Sequence, residues 1–261
     1  MEKVIDLQIW QIAAAYIFVL ILLLIVRAKG INREKEIIIS SIRMSLQLIL
    51  TGYILVYLFD NPNPIYTIIA IATMEVFSIY SIIKSIKFKV SKDIKRLIAT
   101  SMILGTLVSL LFFIFVVLNL KPWYDPRYLV PIVGMLIGNS MTGISLGVTR
   151  LVDGMNSQRY LVEAALMLGA TPKMASKQIV DNAFDSAILP TINSMVGMGI
   201  VFLPGMMTGQ ILSGTSPITA IEYQIAIMLG ILGSVGLTVI IFVQLGYKTF
   251  FNKEDQLVFE D

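Results

Sequence analysis

The chain has 261 residues, of which 56% are hydrophobic and 14% are charged, and its mean hydropathy is +0.82. A soluble domain carries about 25% charged residues, so this composition predicts a membrane protein. Cysteine and histidine are absent, which excludes disulfides, thiolate or imidazole metal sites, and Ser-His or Cys-His catalysis. The net charge is +3, and the Lys and Arg residues flank apolar runs, which indicates membrane topology. We therefore expect no nucleic-acid partner.

Seven apolar runs have the roughly 20-residue length that crosses about 30 Å of hydrocarbon. They are residues 8–26, 37–59, 65–83, 97–120, 128–149, 188–212 and 221–246. The first run follows Glu2, Lys3 and Asp6 and has no small-residue cleavage site, so a retained helix is favoured over a secretory signal.

The positions of Lys and Arg predict the orientation of these spans, because such residues concentrate on the cytoplasmic side. Sixteen of the 20 fall in linkers 27–36, 84–96 and 150–187 or in the C-terminal tail: Arg27, Lys29, Arg33, Lys35, Lys84, Lys87, Lys89, Lys92, Lys95, Arg96, Arg150, Arg159, Lys173, Lys177, Lys248 and Lys253. The opposite side receives Lys3, Lys121 and Arg127, and Arg43 lies within the second span. We therefore predict an all-α protein of seven transmembrane helices, with the N-terminus outside and the C-terminus cytoplasmic.

The outer connections are short, so residues 1–261 are expected to form a single transmembrane domain without a soluble module. We therefore expect most of the chain to be in contact with the lipid bilayer.

Residues 150–187 form the one substantial polar segment between spans, and its pattern predicts a helix, a turn and a second helix. Asn156 or Ser157 is the expected N-cap of the first helix, and Gly169 its stop, because glycine tolerates left-handed backbone angles. Thr171 and Pro172 have the residue types that begin the next helix. An ordinary interfacial amphipathic helix is the alternative for the first of these helices.

Glu163, Ala164, Ala165 and Gly169 resemble the EAA coupling loop of ABC transporter permeases, whose short helix docks into a separate ATP-binding subunit. Importer loops of that type place Ile-x-Leu-Pro after the glycine, with nine residues between the glycine and the isoleucine. Ile179 matches this position, but Leu189-Pro190 comes about two helical turns late. The departure argues against an ordinary importer.

Three segments resemble the FetB-type permease family more closely: residues 139–143 (NSMTG), 159–172 (RYLVEAALMLGATP) and 203–214 (LPGMMTGQILSG). The resemblance implies a homodimeric permease in the bacterial inner membrane that exports iron. It also implies a separate ATP-binding subunit that holds ATP and Mg²⁺, with no cofactor in this chain. Plant members imply aluminium tolerance and nucleotide-sugar transport instead. The sequence has no Gly-x-x-x-x-Gly-Lys-[Ser/Thr] phosphate loop, so we expect a transport subunit and not an enzyme.

Charges within a span usually face a bundle interior, a partner or a pathway. Arg43 and Glu75 lie about 9 Å and 12 Å from the cytoplasmic ends of adjacent spans, at 1.5 Å per residue. An ion pair between them, with Gln47 nearby, is therefore plausible. In one interpretation this pair only locks two helices together. In the other, Glu75 faces the transport pathway and meets a substrate cation.

The fifth and sixth spans supply the other pathway candidates. Gly134, Gly138, Gly143 and Gly147 favour close helix packing in the fifth, where Asn139, Ser140 and Thr142 are expected to bond across the contact. In the sixth, prolines and glycines predict a kinked or broken helix, of the kind that lines cavities. The remaining pathway candidates lie there: Asn193, Met198, Met206, Met207 and Gln210. Methionine sulfur suits copper(I) better than iron, and methionine is also a common core filler, so the metal ligands stay unknown.

Two other function classes remain. An ion-gradient-driven secondary transporter or channel would use Glu75 as a protonation site, but its usual inverted repeat is not visible. An ABC permease for a non-metal solute such as a nucleotide sugar is the other.

Overall fold

In the computed structural model, residues 7–86 and 91–258 are described, and every regular element within these ranges is a helix. The helices are α1 Ile9–Ala15, α2 Ile17–Ala28, α3 Glu34–Asp60, α4 Pro64–Ser85, α5 Lys92–Phe112, α6 Pro126–Ser157, α7 Arg159–Met167, α8 Pro172–Ala175, α9 Lys177–Gly197, α10 Gly205–Leu212 and α11 Pro217–Gly246, with a π-helical turn Phe113–Leu118 and a 3-10 turn Tyr247–Phe250. Glu2, Lys3, Asp6, Lys87 and Lys89, which were used in the topology prediction, lie outside the described residues.

Six helical segments of the described chain are long and apolar enough to cross a membrane. They are Ile9–Ala28, Glu34–Asp60, Pro64–Ser85, Lys92–Leu118, Pro126–Ser157 and Pro217–Phe250. They coincide with six of the seven predicted spans, and the prediction of an all-α multi-pass membrane protein is confirmed.

The predicted sixth span, residues 188–212, is not one continuous helix. It consists of the end of α9, a turn and the short helix α10. Gly199 has a φ of +84°, and its amide donates to the carbonyl of Phe202 at 2.9 Å. Pro204, which has no amide hydrogen to donate, precedes α10. The predicted break is confirmed, and it follows from the residue types that favour it.

The chain divides into two compact units. One contains the chain up to Pro62 together with Leu212–Gly214, and the other contains Asn63–Ile211 and Thr215–Asp261. Within the first unit, α2 packs against α3. The Tyr16 hydroxyl hydrogen-bonds with that of Ser45 and donates to the carbonyl of Ser41 at 3.3 Å, which ties the start of α2 to α3.

Helix α6 is the centre of the second unit, where it packs against α4, α5, α9 and α11. Its 32 residues span about 48 Å at 1.5 Å per residue. Since the hydrocarbon layer is about 30 Å thick, α6 extends well beyond it. Its C-terminal end leads directly into α7.

Close helix approach in this unit occurs at glycines. A Cβ on Gly143 would lie 2.8 Å from the Cγ1 of Val235 on α11, and a Cβ on Gly147 would lie 3.5 Å from the Cβ of Ala187 on α9. The packing role predicted for these two glycines is confirmed. For Gly134 and Gly138 it stays a prediction, since within the described chain a Cβ on Gly134 would meet only the Cε of Met74, at 3.9 Å, and one on Gly138 would meet no atom within 4 Å.

The expected hydrogen bonding across this contact is also only partly correct. The Ser140 hydroxyl bonds with that of Ser234 on α11 at 2.9 Å. The side chains of Asn139 and Thr142 instead donate to carbonyls of their own helix, at Met135 (2.8 Å) and Gly138 (3.2 Å). Both residues are exposed on α6, where no neighbouring helix of the second unit faces them with a partner.

Substitution of Gly105 by alanine is expected to destabilise the protein, because the added Cβ would lie 2.7 Å from the backbone Cα of Thr238 on α11. Overpacking against a backbone atom costs about 1–3 kcal/mol. Thermal unfolding in detergent measures the effect, and Gly138→Ala serves as the matched control. Equal melting temperatures for the two variants would contradict the described α5–α11 contact.

Candidate functional site

Helix α7 begins almost without interruption after α6. The amide of Gln158 still donates to the carbonyl of Gly154 at 3.0 Å, and Gln158 then serves as the N-cap of α7 without a side-chain capping bond. The prediction of Asn156 or Ser157 as the cap is therefore wrong. Both residues continue α6, because its backbone ladder runs past them.

The turn after α7 agrees with the sequence prediction. Gly169 has a φ of +88°, and its amide donates to the carbonyl of Leu166 at 2.9 Å while that of Ala170 donates to Ala165 at 3.0 Å. These bonds close the C-terminal end of the helix in a left-handed turn that glycine adopts at little cost. Gly169 therefore fixes the direction in which the chain leaves α7.

The start of the second helix is also as predicted. The Thr171 side chain accepts a hydrogen bond from the amide of Met174 at 3.4 Å, and Pro172 occupies the first turn of α8. Helix α8 has only four residues, and α9 follows after Ser176. The Ser176 hydroxyl is buried and donates to the carbonyl of Pro172 at 2.7 Å. The connection from α7 to α9 is thus a short capped step.

Helix α7 has one buried side chain and a broad exposed apolar surface. Val162 is only 1% exposed, whereas Met167 and Leu168 are 86% and 90% exposed. Tyr160 and Leu161 are exposed as well. We call these four exposed residues the α7 tip surface: Tyr160, Leu161, Met167 and Leu168. Exposed apolar patches of this kind mark interaction sites.

Of the predicted coupling residues, Glu163 forms an ion pair within α7. Its Oε1 accepts from the Nε of Arg159 at 2.8 Å, and this bond raises the pKa of Arg159 above its usual value. Because the pair is partly exposed, it contributes little to stability. Ala164 is exposed and Ala165 half-buried. None of the four α7 tip residues was among the predicted coupling residues, although their helical spacing is visible in the sequence.

The base of this segment is held by a close contact between α6 and α9. A Cβ on Gly154 would lie 2.6 Å from the Cγ2 of Ile179, so no larger residue fits there without a shift. Ile179 is buried, as are Val180 and Ala183 in the next turn of α9. The two helices that enter and leave the predicted coupling loop are therefore clamped together at its base.

A polar cavity of about 430 Å³ lies between the same two helices. Charged side chains of both line it, and they are Arg150, Asp153 and Asp185, together with Asn182, Ser157 and Gln158. From the sequence, Arg150 was predicted only to be one of the cytoplasmic cations, and no pattern indicated this cavity. Its polar lining distinguishes it from the apolar surfaces around the long helices.

Glu75 lies in a cavity of about 190 Å³ between α4, α5 and α6. The lining is apolar except for Glu75 and Thr106. The Oε1 of Glu75 is buried and has no hydrogen-bond partner among the described residues. A buried carboxylate oxygen without a partner is costly, so a purely packing role does not account for Glu75.

The predicted Arg43–Glu75 ion pair would connect two units that are each described separately. The pair therefore stays a prediction. Arg43 and Gln47 are exposed on α3 in the first unit, whereas Glu75 belongs to the second.

The remaining pathway candidates occupy α6, α9 and the break after α9. Asn139 and Asn193 are exposed on α6 and α9, which pack against each other. Met198 follows the end of α9, and the Nε2 of Gln224 on α11 donates to its sulfur at 3.7 Å. Gln224 is 7% exposed, and its Oε1 is buried without a hydrogen-bond partner in the described chain. Sequence analysis missed Gln224, because a single glutamine in an apolar run gives no periodic signal.

Of the candidates on α10, Met207 is buried, and Met206 and Gln210 are half-buried. No group of three or more acidic residues within residues 7–86 and 91–258 is placed to hold a metal ion.

Comparisons with known proteins give a consistent result over nearly the whole chain. The model of an "Uncharacterised protein family (UPF0014)" matches residues 9–251. The Escherichia coli "Probable iron export permease protein FetB" is 32% identical over 248 residues, covering 95% of this chain and 94% of that protein. The Arabidopsis thaliana "Protein ALUMINUM SENSITIVE 3" is 36% identical over 245 residues, covering 94% and 88%. The Bacillus subtilis "UPF0014 membrane protein YjkA" is 33% identical over 251 residues, covering 95% and 97%. No solved structure shows a significant match.

Replacement of Gly169 by valine is expected to open the turn after α7, because a β-branched residue is strained at a φ of +88°. A left-handed conformation costs a non-glycine residue about 1–2 kcal/mol. The rate of trypsin cleavage at Lys173 and Lys177 measures the opening. Gly169→Asn is the matched control, since asparagine tolerates this conformation. Equal cleavage of Gly169→Val and the unmodified protein would show that the turn does not depend on glycine.

Proposed function

The chain belongs to the UPF0014 family of membrane proteins, and from this membership and the exposed α7 tip surface we propose that it is the transmembrane subunit of an ABC transporter. In this proposal a separate ATP-binding subunit holds ATP and Mg²⁺ and hydrolyses the nucleotide. The chain itself is a transport subunit and catalyses no reaction. Iron or a related metal is the cargo, and it moves out of the cell.

The exposure of Met167 and Leu168 is the observation that carries the proposal. These two large apolar side chains are almost fully exposed at the end of a short helix. That helix follows α6, which is long enough to project out of the hydrocarbon layer. A helix that presents apolar anchors outside the membrane fits a groove on another protein. A helix lying in the membrane interface would bury the same residues in lipid, and the subunit-binding test below separates the two arrangements.

The packing around α7 explains how a partner's movement reaches the membrane. The close contact between Gly154 and Ile179 joins the two ends of the loop. Helix α9 then packs along α6 and α11. A displacement of α7 therefore reaches α9 through the short α8 connection, and close packing carries it along α9 to the break at Met198.

We propose seven membrane crossings, with the N-terminus outside and the C-terminus in the cytoplasm of a bacterial inner membrane. The six long apolar helices supply six crossings, and the end of α9 with α10 supplies the seventh. The concentration of Lys and Arg in linkers 27–36, 84–96 and 150–187 and in the C-terminal tail supports this orientation.

We propose further that the permease works as a homodimer. Asn139, Thr142 and Asn193 are exposed on α6 and α9 within the predicted spans. Amide groups face lipid only at a cost, and a second copy or a water-filled pathway between two copies removes that cost. In this arrangement Asn139, Asn193 and Met198 border the pathway, and Met206, Met207 and Gln210 border its outer end. Arg43 and Gln47 are the candidates from the first unit.

Iron as the cargo is supported by the printed name of the Escherichia coli relative. The chain offers oxygen donors at Glu75, Asn139 and Asn193, which suit iron better than thioethers do. The Arabidopsis relative is named for aluminium sensitivity, so the cargo test includes Al³⁺ and a nucleotide sugar.

A second candidate function, an ion-gradient-driven transporter, is favoured by the unpartnered carboxylate oxygen of Glu75. Reconstitution separates the two. The protein is placed in vesicles with the candidate ATP-binding subunit, and Fe²⁺ flux is measured with ATP alone and with an imposed proton gradient alone. Flux that needs ATP supports the ABC assignment, and flux driven by the gradient without the second subunit overturns it.

Leu168→Asp is expected to weaken binding of the ATP-binding subunit at least tenfold, because a buried unpaired charge costs more than 1.4 kcal/mol. Co-purification and stimulated ATPase activity measure the loss. Met174→Asp is the matched control, since Met174 is also an exposed apolar residue, 69% exposed, on α8. Binding that survives both Leu168→Asp and Glu163→Gln would show that α7 is not the docking helix.

Glu75→Gln is expected to abolish most cargo flux while the amount of folded protein stays normal, since glutamine keeps the shape but not the charge. Flux per reconstituted protein and yield after purification measure the two effects. Glu36→Gln changes an exposed carboxylate of α3 and serves as the control. A loss of folded protein in Glu75→Gln would instead assign Glu75 a helix-locking role.

A further inference from the structure

The end of the described chain folds into a small structure that the proposed function does not use. After the 3-10 turn Tyr247–Phe250, Phe251 pairs with Leu257 in an isolated antiparallel bridge, and the amide of Val258 donates to the carbonyl of Phe250 at 2.8 Å. We call residues 250–258 the C-terminal hook.

Asn252 organises the hook. Its Oδ1 accepts from the amides of Glu254 at 3.0 Å and Gln256 at 2.8 Å, and its Nδ2 donates to the Oε1 of Gln256 at 3.0 Å. Its own amide donates to the carbonyl of Gln256 at 2.9 Å. One side chain therefore closes a five-residue turn in which Asp255 has a φ of +59°.

The hook is attached firmly to the helix bundle. Tyr247 and Phe250 are buried, and Phe251 and Leu257 pack against the core. A Cβ on Gly246 would lie 2.9 Å from the Cδ2 of Leu151, so the end of α11 contacts the end of α6 closely. The hook is thus fixed relative to the helix that leads into α7.

The hook faces the turn between α7 and α9. Both line a cavity of about 330 Å³, to which the turn contributes Thr171, Pro172 and Lys173 and the chain end contributes Tyr247, Lys248, Phe251, Asn252 and Asp255. The 3-10 turn Tyr247–Phe250, whose last residue is the first residue of the hook, also packs against α8. No other described part of the second unit provides α8 with a comparable support beside its own neighbours α7 and α9.

We propose that the C-terminal hook is a positioning element that supports α8, so that movement of α7 is passed to α9. A helix of four residues is unstable on its own, because nucleation requires fixing several residues for a single hydrogen bond. Without a support, a displacement of α7 would bend the connection at α8 and leave α9 in place. The inference rests on the proposed coupling role of α7, and Asn252 acts through α8 without touching cargo or nucleotide.

The first test uses the permease alone and does not depend on any partner. Asn252→Ala removes three side-chain hydrogen bonds, and trypsin cleavage at Lys173 and Lys177 is expected to become about tenfold faster. Asn252→Asp keeps an acceptor for the two amides and is expected to restore most of the protection. Lys253→Ala, an exposed change in the same hook, is expected to cleave at the original rate. Unchanged cleavage in Asn252→Ala overturns the inference even if α7 binds an ATP-binding subunit.

The second test measures coupling in vesicles with the ATP-binding subunit. Asn252→Ala is expected to keep subunit binding and ATP turnover but to lower Fe²⁺ moved per ATP several-fold. A purely structural defect would lower folded protein and binding together. If the unmodified protein shows no ATP-dependent flux, the proposed function fails, and the cleavage result still decides whether the hook supports α8.

The third test asks whether the hook stays beside α8 during transport. The chain has no cysteine, so Lys173→Cys and Lys248→Cys introduce its only thiols, which a short bifunctional thiol reagent can join. The cross-linked protein is expected to transport as well as the same double variant before cross-linking. If cross-linking abolishes flux and cleavage of the linker restores it, the hook and α8 must separate during transport, and the inference is overturned.

Discussion

The close packing of α6 against α9 and α11 is the contact on which the rest of the second unit depends. Glycines at 143 and 154 let side chains of the neighbouring helices approach where a Cβ would collide, and Gly147 contacts Ala187 of α9 between them. The Gly154 contact lies where α6 leaves the bundle, and the Gly143 contact lies about 16 Å deeper, at 1.5 Å per residue. One helix therefore sets both the origin of α7 and the path of α9. Helix α6 thus connects the origin of α7 with the helix that ends at the break near Met198.

This arrangement gives the predicted coupling loop its mechanical character. An isolated nine-residue helix such as α7 would be only marginally stable in water. Here Val162 anchors it, and Gly169, Thr171 and the buried Ser176 fix its exit. The apolar residues that remain exposed, those of the α7 tip surface, recur at helical spacing on a different face of α7. Their exposure follows from a scaffold that holds α7 at both ends, which is the geometry that a docking helix requires.

Sequence reasoning succeeded where one residue type has one physical use. Apolar run length located six long helices because lipid leaves few other solutions, and Gly169 and Thr171-Pro172 marked a turn that their backbone preferences favour. It failed where the outcome depends on tertiary neighbours. Whether Ser157 caps α7 or continues α6, whether Gly138 meets a neighbour, and whether Gln224 reaches Met198 cannot be deduced from local pattern. The hook escaped notice because Asn252 organises it through contacts within a short polar tail that resembles an ordinary chain end.

The polar groups of the long helices also limit how a cargo is held. Glu75 lies among apolar side chains, and Asn139 and Asn193 are uncharged amides on an exposed face. A dehydrated metal ion needs several oxygen or nitrogen ligands at once to replace its water, and the described residues place no three acidic groups together. Weak contacts favour release, which an exporter needs at the outer side as much as it needs capture. In the proposed function, selectivity would therefore arise from the hydrated or chelated form that enters, and the energy passed through α7 would change access to the pathway rather than break a tight metal site.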